Sequence, residues 1–305
     1  MPTPRFEPDW PKAPVYWQRD AGTQCASIPF TWNLEEVRQR ILADEFGFYK
    51  WVVGGPATAL LPNFFCGMQN VTVQHSYPNV LQKINPMATR TTLGCVRRCE
   101  FCGIGKKLIE PQWAELADWP DKPIICDNNI LAASMKHFHR VMDRLVKWNW
   151  CDFNQGLDAR LLKPEHARRL AEVRDGVAHT AIARLALDND GERPAWTKAY
   201  ETLRATGIPK RCIRVYVLCG FDGSPERDWA RCEWVESFKV MALPMWFHRL
   251  DALRCNTVTK EQEKLGWTEE RRIALMQYYY QHRGRPFAAH KTKTGSKYKP
   301  EGDKR

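Results

Sequence analysis

From about residue 85 onward, short apolar runs rich in β-branched and aromatic residues alternate with longer amphipathic stretches. The apolar runs at 123–126 (P-I-I-C), 151–153 (C-D-F), 183–187 (A-R-L-A-L), 213–218 (I-R-V-Y-V-L) and 243–247 (L-P-M-W-F) have the length and composition of buried strands. Between them, apolar residues recurring every three or four positions predict helices over 133–147, 164–174, 195–206 and 226–238. Pro164 and Pro225 stand where a first helical turn tolerates proline, because its missing N–H has no intrahelical partner there. Counting the strand-like segment before Cys95, the pattern gives six βα units. Such alternation winds onto a parallel sheet with helices on its faces, and a closed eightfold barrel needs more chain.

The flanks read differently. The first forty residues are rich in Pro, Trp and charge, with no periodicity until L-E-E-V-R-Q-R-I-L-A. That run predicts a helix over 34–43, with Asn33 as cap and Glu35 and Glu36 favourably placed in its first turn. Y-K-W-V-V-G-G-P-A is a strand ending on Gly54 and Gly55, where backbone can approach a neighbour closely. At the other end, T-E-E-R-R-I-A-L-M-Q-Y-Y-Y predicts a helix capped by Thr268, packing through Ile273, Leu275, Met276 and Tyr279. The divisions expected are an N-terminal extension over 1–84, a βα body over 85–256, a helical segment over 257–288 and a basic tail over 289–305.

Composition narrows the class. With 305 residues and 44% hydrophobic content the chain can fill one sizeable core or two modest ones, and no apolar run approaches a membrane span. The opening M-P-T-P-R-F-E-P-D-W-P has neither the character of a signal peptide nor that of a transit helix. Eleven cysteines, an odd and scattered set, suit a reducing compartment, so a cytoplasmic location is expected. The net charge is +11, and the tail contributes six basic residues against two acidic ones. A balance of this sign is compatible with a nucleic-acid or phosphate-bearing partner.

The densest chemistry lies in T-T-L-G-C-V-R-R-C-E-F-C-G-I-G, where Cys95, Cys99 and Cys102 stand in a C-x3-C-x2-C spacing. Three thiolates on one loop can share an inorganic centre. They are one ligand short of a closed tetrahedral zinc site, and the nearest candidates for a fourth ligand, Cys66, His75 and Cys126, sit at no familiar spacing. A cubane iron–sulfur cluster held by three thiolates leaves one iron open to a substrate or cofactor. A Cys99–Cys102 redox pair and plain buried cysteines are the remaining alternatives.

This spacing, with Phe101 before the last cysteine, resembles the signature of the radical S-adenosylmethionine (radical SAM) superfamily. Together with D-N-N, F-N-Q-G-L-D-A-R-L-L, A-L-D and V-L-C-G-F-D-x-S-P-E, it is similar to a group of small bacterial and phage members, over roughly 51–282. The resemblance implies a partial (β/α)6 TIM-like barrel with a short N-terminal α/β extension and a C-terminal helix. It also implies a 4Fe–4S cluster on Cys95, Cys99 and Cys102, with SAM chelated at the open iron and cleaved to a 5′-deoxyadenosyl radical that abstracts hydrogen from a substrate. A reducing partner such as flavodoxin or ferredoxin follows from the same likeness.

Each expected strand runs into a polar cluster: Asp127-Asn128-Asn129, Asn154 to Asp158 with Arg160, Asp188-Asn189-Asp190, Gly220-Phe221-Asp222, and His248-Arg249. Such residues also serve as ordinary turn formers and helix caps, though Gln155 and Arg160 are not turn residues. Carried over by position, the resemblance sets Asp127, Asn128 and Asn129 beside the SAM amino group, Asp188 at the ribose hydroxyls, and backbone near Val217 to Gly220 at adenine. Gln155, Asp158 and Arg160 are the catalytic candidates, deeper in the barrel. Cys126, Cys151 and Cys219 are expected at strand ends facing the same mouth. The N-terminal segment resembles a shortened form of the Rossmann-like domain of cobalamin-dependent members, but lacks D-x-H-x-x-G. The substrate class stays open, with nucleic acid or nucleotide one candidate. The competing function is a non-catalytic zinc- or iron–sulfur-binding protein that holds nucleic acid through its basic tail.

Overall fold

The computed structural model describes residue 10 and residues 13–44, 47–74, 80–110 and 112–280, so the expected tail over 289–305 and the end of the helical segment over 257–288 lie outside the described residues. The chain is α/β and forms two compact units that do not follow chain order. The first comprises Met1–Thr89, Gly94–Trp113 and His248–Cys255, and the second Arg90–Leu93, Ala114–Phe247 and Asn256–Arg305. The span 85–256 is thereby shared between them.

In the first unit, β1 (Val15–Asp20) and β2 (Thr23–Ser27) form an antiparallel hairpin. The Asp20 carboxylate closes its turn by accepting the Gly22 N–H at 3.1 Å. After α1 (Leu34–Leu42), β3 (Lys50–Gly54) joins β2 in parallel. The unit continues through α2 (Pro56–Leu60), β4 (Val71–Val73), α3 (Val80–Ile84) and β5 (Ala88–Thr89), and β4 pairs parallel with β3. The spacing of Leu34, Val37 and Ile41 puts all three on one face of α1, in a core with Ala26, Ile28, Trp51 and Val53. Burying each such aliphatic side chain contributes about 1.5–3 kcal/mol. Asn33 does not cap α1 with its side chain, because a 3-10 turn over Thr31–Asn33 already leads the backbone into the helix. Gly55 is required where it stands: its φ is 99°, and a Cβ there would meet the Ile28 carbonyl oxygen at 2.6 Å.

In the second unit, β6 (Thr92–Leu93) pairs antiparallel with β7 (Ala114–Glu115). A parallel βα succession follows: β8 (Ile124–Ile125), α4 (Met135–Trp148), β9 (Cys151–Phe153) and α5 (Pro164–Ala171). Next come β10 (Arg174–Asp175), β11 (Ala178–His179), β12 (Ala181–Leu187), α6 (Arg193–Ala205), β13 (Ile213–Cys219), α7 (Pro225–Ser237) and β14 (Met241–Trp246). The parallel strands lie in the order β14-β13-β12-β9-β8. Ala183, Leu185 and Leu187 of β12 and Val215 and Val217 of β13 are fully buried, as are Trp196 and Leu203 of α6 and Val235 of α7. Trp196 stacks on Tyr200 at 5.6 Å and meets Trp234 and Phe238 edge-on. Ser134 caps α4 by accepting the His137 N–H, and the helix ends on Asn149 in the left-handed region.

Two further sequence expectations need correction. The helix expected to reach 174 stops at Ala171, because Asp175-Gly176 turns a small hairpin between β10 and β11, with Gly176 at φ 59°. After α8 (Lys260–Lys264) comes α9 (Glu269–Tyr280), where Thr268 accepts the Arg271 N–H as expected of a cap. The helix buries Arg272, Leu275 and Tyr279, one stripe at i, i+3 and i+7, which leaves Ile273 41% exposed and Met276 half-buried. No described helix is long and apolar enough to cross a membrane.

Candidate functional site

The cysteine loop belongs to the first unit. Cys95 is buried, Cys99 and Cys102 are half-buried, and none of the three forms a disulfide. The Arg97 N–H donates to the Cys95 sulfur at 3.3 Å. The loop then winds tightly: the Cys102 N–H donates to the Cys99 carbonyl at 3.2 Å and the Lys106 N–H to the Cys102 carbonyl at 2.9 Å. The Lys107 ammonium donates to the Cys95 carbonyl. Gly105 closes this turn, since a Cβ there would stand 2.7 Å from the Cys99 nitrogen and 2.9 Å from its carbonyl oxygen. Among the described residues, no three His, Cys, Asp or Glu side chains are gathered as for one metal ion. Of the candidates for a fourth ligand, Cys66 is exposed, Cys126 is buried with its thiol pushed up to about 12 by burial, and His75 lies outside the described residues.

The donor set and its surroundings fit an iron–sulfur cluster. Three thiols stand on one short loop that also carries Arg97, Arg98, Lys106 and Lys107, and a backbone N–H points at one sulfur. Gly105→Ala is expected to leave the βα unit intact while the protein loses most of the iron it takes up on reconstitution, read by iron content beside a melting curve. Full loading of the variant would show that the close approach to Cys99 is dispensable.

The strand-end candidates belong to the second unit. Asp127 faces inward: its carboxylate accepts the Thr91 N–H at 2.6 Å, the Thr92 N–H at 2.8 Å and the Thr91 hydroxyl at 2.5 Å. Burial pushes its pKa up while these bonds pull the other way. His137 Nε2 stands 3.1 Å from the same hydroxyl. Asp127 therefore ties the end of β8 to the segment entering β6, and of the D-N-N trio Asn128 is the least buried. Asn129 donates through Nδ2 to Asp158 Oδ2 at 3.3 Å. Asp158 caps a 3-10 turn over Ala159–Leu161 and accepts the Arg160 N–H at 3.1 Å and its Nε–H at 2.7 Å. Arg160 Nη1 reaches Glu192 Oε1 at 2.8 Å, and Glu192 Oε2 accepts the Asp188 N–H at 3.0 Å. Asn129, Asp158, Arg160, Glu192 and Asp188 thus form one chain of contacts across the carboxyl ends of β8, β9 and β12. Gln155 is exposed and takes no part in that chain.

Asp188 is the titrating member. Burial, reinforced by Glu192, lifts its pKa to about 7. A carboxyl at that point presents either a proton donor or two acceptor oxygens near neutral pH, which suits vicinal hydroxyls. Because the folded value lies above the unfolded one, the stability it contributes is complete below about pH 4 and lost as pH rises through about 7. Asp188→Asn is therefore expected to match the wild-type melting temperature near pH 4 and exceed it above pH 8. A difference independent of pH would contradict the assignment.

Behind this edge lies Arg231 of α7, fully buried and invisible to the sequence pattern as a functional residue. Its Nη1 donates to the Leu218 carbonyl at 2.7 Å and the Asp188 carbonyl at 3.2 Å, so one guanidinium joins the ends of β12 and β13. Asp228 and Asp190 flank it at 3.4 and 3.5 Å. Asp228 also accepts the Gly220 N–H at 2.7 Å, and Gln262 donates to the Gly220 carbonyl, so both backbone groups of Gly220 are engaged. Glu192 also escaped the sequence reading, although its place four residues after Asp188 in D-N-D-G-E was a usable signal.

Two expected positions shift and one holds. Cys151 is the first residue of β9, so it lies at the opposite strand edge from the polar clusters. Cys219 is the last residue of β13, as expected, but it is fully buried, and burial raises its thiol well above the usual range. His248 and Arg249 belong to the first unit, where the His248 ring meets Trp32 at 4.9 Å. Comparison with family models, with curated proteins and with solved structures gives no match.

Proposed function

We propose that the chain is an enzyme that carries a thiolate-bound cluster on its cysteine loop and a polar rim at the carboxyl ends of its parallel sheet. More specifically, we infer a radical SAM enzyme on a partial (β/α)6 barrel, with a 4Fe–4S cluster held by Cys95, Cys99 and Cys102. The carrying observation is the C-x3-C-x2-C loop itself, wound around Cys99 by Gly105 and donating a backbone N–H to the Cys95 sulfur. A cubane spreads its thiolates over three corners and does not require the convergence that a single zinc ion does.

When bound, the cluster supplies the electron that cleaves SAM, making a 5′-deoxyadenosyl radical available for hydrogen abstraction; the remaining work is the protein's. The Arg97 N–H holds one thiolate, and the loop cations offset the negative charge of the set. Asn128 and Asn129 offer amide groups for the amino and carboxylate ends of SAM. Asp188 offers a carboxyl for its ribose hydroxyls, and Asp127 serves as the buried anchor that fixes the start of D-N-N. Asp158 and Arg160 shape the rim as an ion pair. Flavodoxin or ferredoxin is the class of electron donor this chemistry asks for. The test is metal identity after anaerobic reconstitution: iron with equal acid-labile sulfide supports the reading, and zinc alone points to a non-catalytic binding protein.

A further inference from the structure

In the first unit, Phe30 lies flat against Trp32, with ring centroids 4.5 Å apart and planes 9° from parallel. Trp32 is backed on another side by His248 at 4.9 Å. The arrangement is held from both chain segments. Thr31 and Trp32 sit in the 3-10 turn that leads into α1, and the Thr31 hydroxyl donates to the Ala252 carbonyl at 2.5 Å. Phe30 remains 39% exposed and Leu253 57% exposed. Scattered apolar residues on a surface are ordinary. An exposed ring already stacked flat on a second, buttressed ring is a different object, because its orientation is fixed before anything binds.

The segment His248–Cys255 that supplies the buttress also supplies charge. Arg249 and Arg254 are both exposed. Asp251 grips the Arg249 guanidinium at 3.0 Å through both Nε and Nη2, which holds its plane, while Arg254 adds a cation to the segment. The whole chain carries +11. A fixed aromatic face backed by a segment that carries two arginines, on a cationic protein, is complementary to an unstacked base with its phosphate. A duplex hides its base faces and presents only its phosphates to such a surface.

We propose that Phe30, Trp32 and His248, with Arg249 and Arg254, form a stacking platform for single-stranded nucleic acid. As a substrate class, this rests on the proposed function; as a binding surface it does not, since the platform contains none of the cysteines.

The test measures fluorescence anisotropy of labelled oligo-uridylate, alone and annealed to oligo-adenylate, against the full-length protein, with polyglutamate as a competing polyanion. The single strand is expected to bind more tightly than the duplex. Phe30→Leu should weaken it about tenfold or more, the scale of one base–aromatic stack, while Phe30→Tyr, which keeps the aromatic face, stays within about twofold. Arg254→Ala should reduce the salt dependence of binding. Melting curves of the variants separate lost contact from lost fold. Equal affinity for the duplex, unchanged binding in Phe30→Leu, equally tight polyglutamate, or no binding to either nucleic acid would each overturn the proposal. Cys99→Ala is expected to bind the single strand normally, so a failure of the cluster chemistry and a failure of the platform give different results.

Discussion

Arg231→Ala is expected to destabilise the βα unit by about 3–5 kcal/mol, the usual cost of breaking a buried ion pair from one side. The side chains of Arg231 and Asp228 are both fully buried, so the substitution leaves the Asp228 carboxylate in the core without its cation. It also removes the donor that reaches from α7 to the Leu218 and Asp188 carbonyls, and with it the link between the ends of β12 and β13. Urea unfolding followed by tryptophan fluorescence reads the effect, because Trp196, Trp229 and Trp246 are buried in this unit. Arg231→Met combined with Asp228→Leu is expected to recover part of the loss, since no charge is then stranded, though the Gly220 N–H loses its acceptor. A single substitution costing less than about 1 kcal/mol would mean that water reaches this pair.

Cys99→Ala is expected to abolish 5′-deoxyadenosine formation while shifting the melting temperature by no more than a few degrees. Cys99 is half-buried on a loop, so truncation leaves no large core cavity. In the proposed site its sulfur is one of three ligands, and two thiolates do not hold a cubane against loss of iron. Cys126→Ala is the matched control. That thiol is buried with its pKa pushed up to about 12, so it is not available as a thiolate ligand, and the variant is expected to keep its iron. Equal iron loss in both would point to a general dependence of loading on the fold and away from a specific ligand role for Cys99.

The parallel body was legible because its apolar runs are short, contiguous and separated by periodic helices. C-D-F gave β9 to the residue, and I-R-V-Y-V-L gave β13 to within one. The β1–β2 hairpin was not legible. Val15–Asp20 is half-buried to exposed along its length, so it lacks the alternation that marks a strand with one buried face. The candidate rim was legible in kind and only partly in role. Asp, Asn and Arg at strand ends were visible, but which way each points is set by backbone direction after the strand. Asp127 turned inward to collect the Thr91 and Thr92 amides, whereas Gln155 turned out to solvent. Arg231 was hidden for a simpler reason. An arginine within a helix looks like a surface residue until two carbonyls and two aspartates are found around it. The cysteine loop needed no structure to be noticed, because its spacing is itself the signal; the structure adds the N–H on the Cys95 sulfur and the reason for Gly105.

The measurement that bears most directly on the central claim is 5′-deoxyadenosine release from SAM by the anaerobically reconstituted, dithionite-reduced wild-type protein, with Cys99→Ala alongside. Product is expected from the wild type and none from the variant. A wild-type protein that takes up zinc and no iron, or one that makes no more product than Cys99→Ala with its cluster fully loaded and reduced, would contradict it.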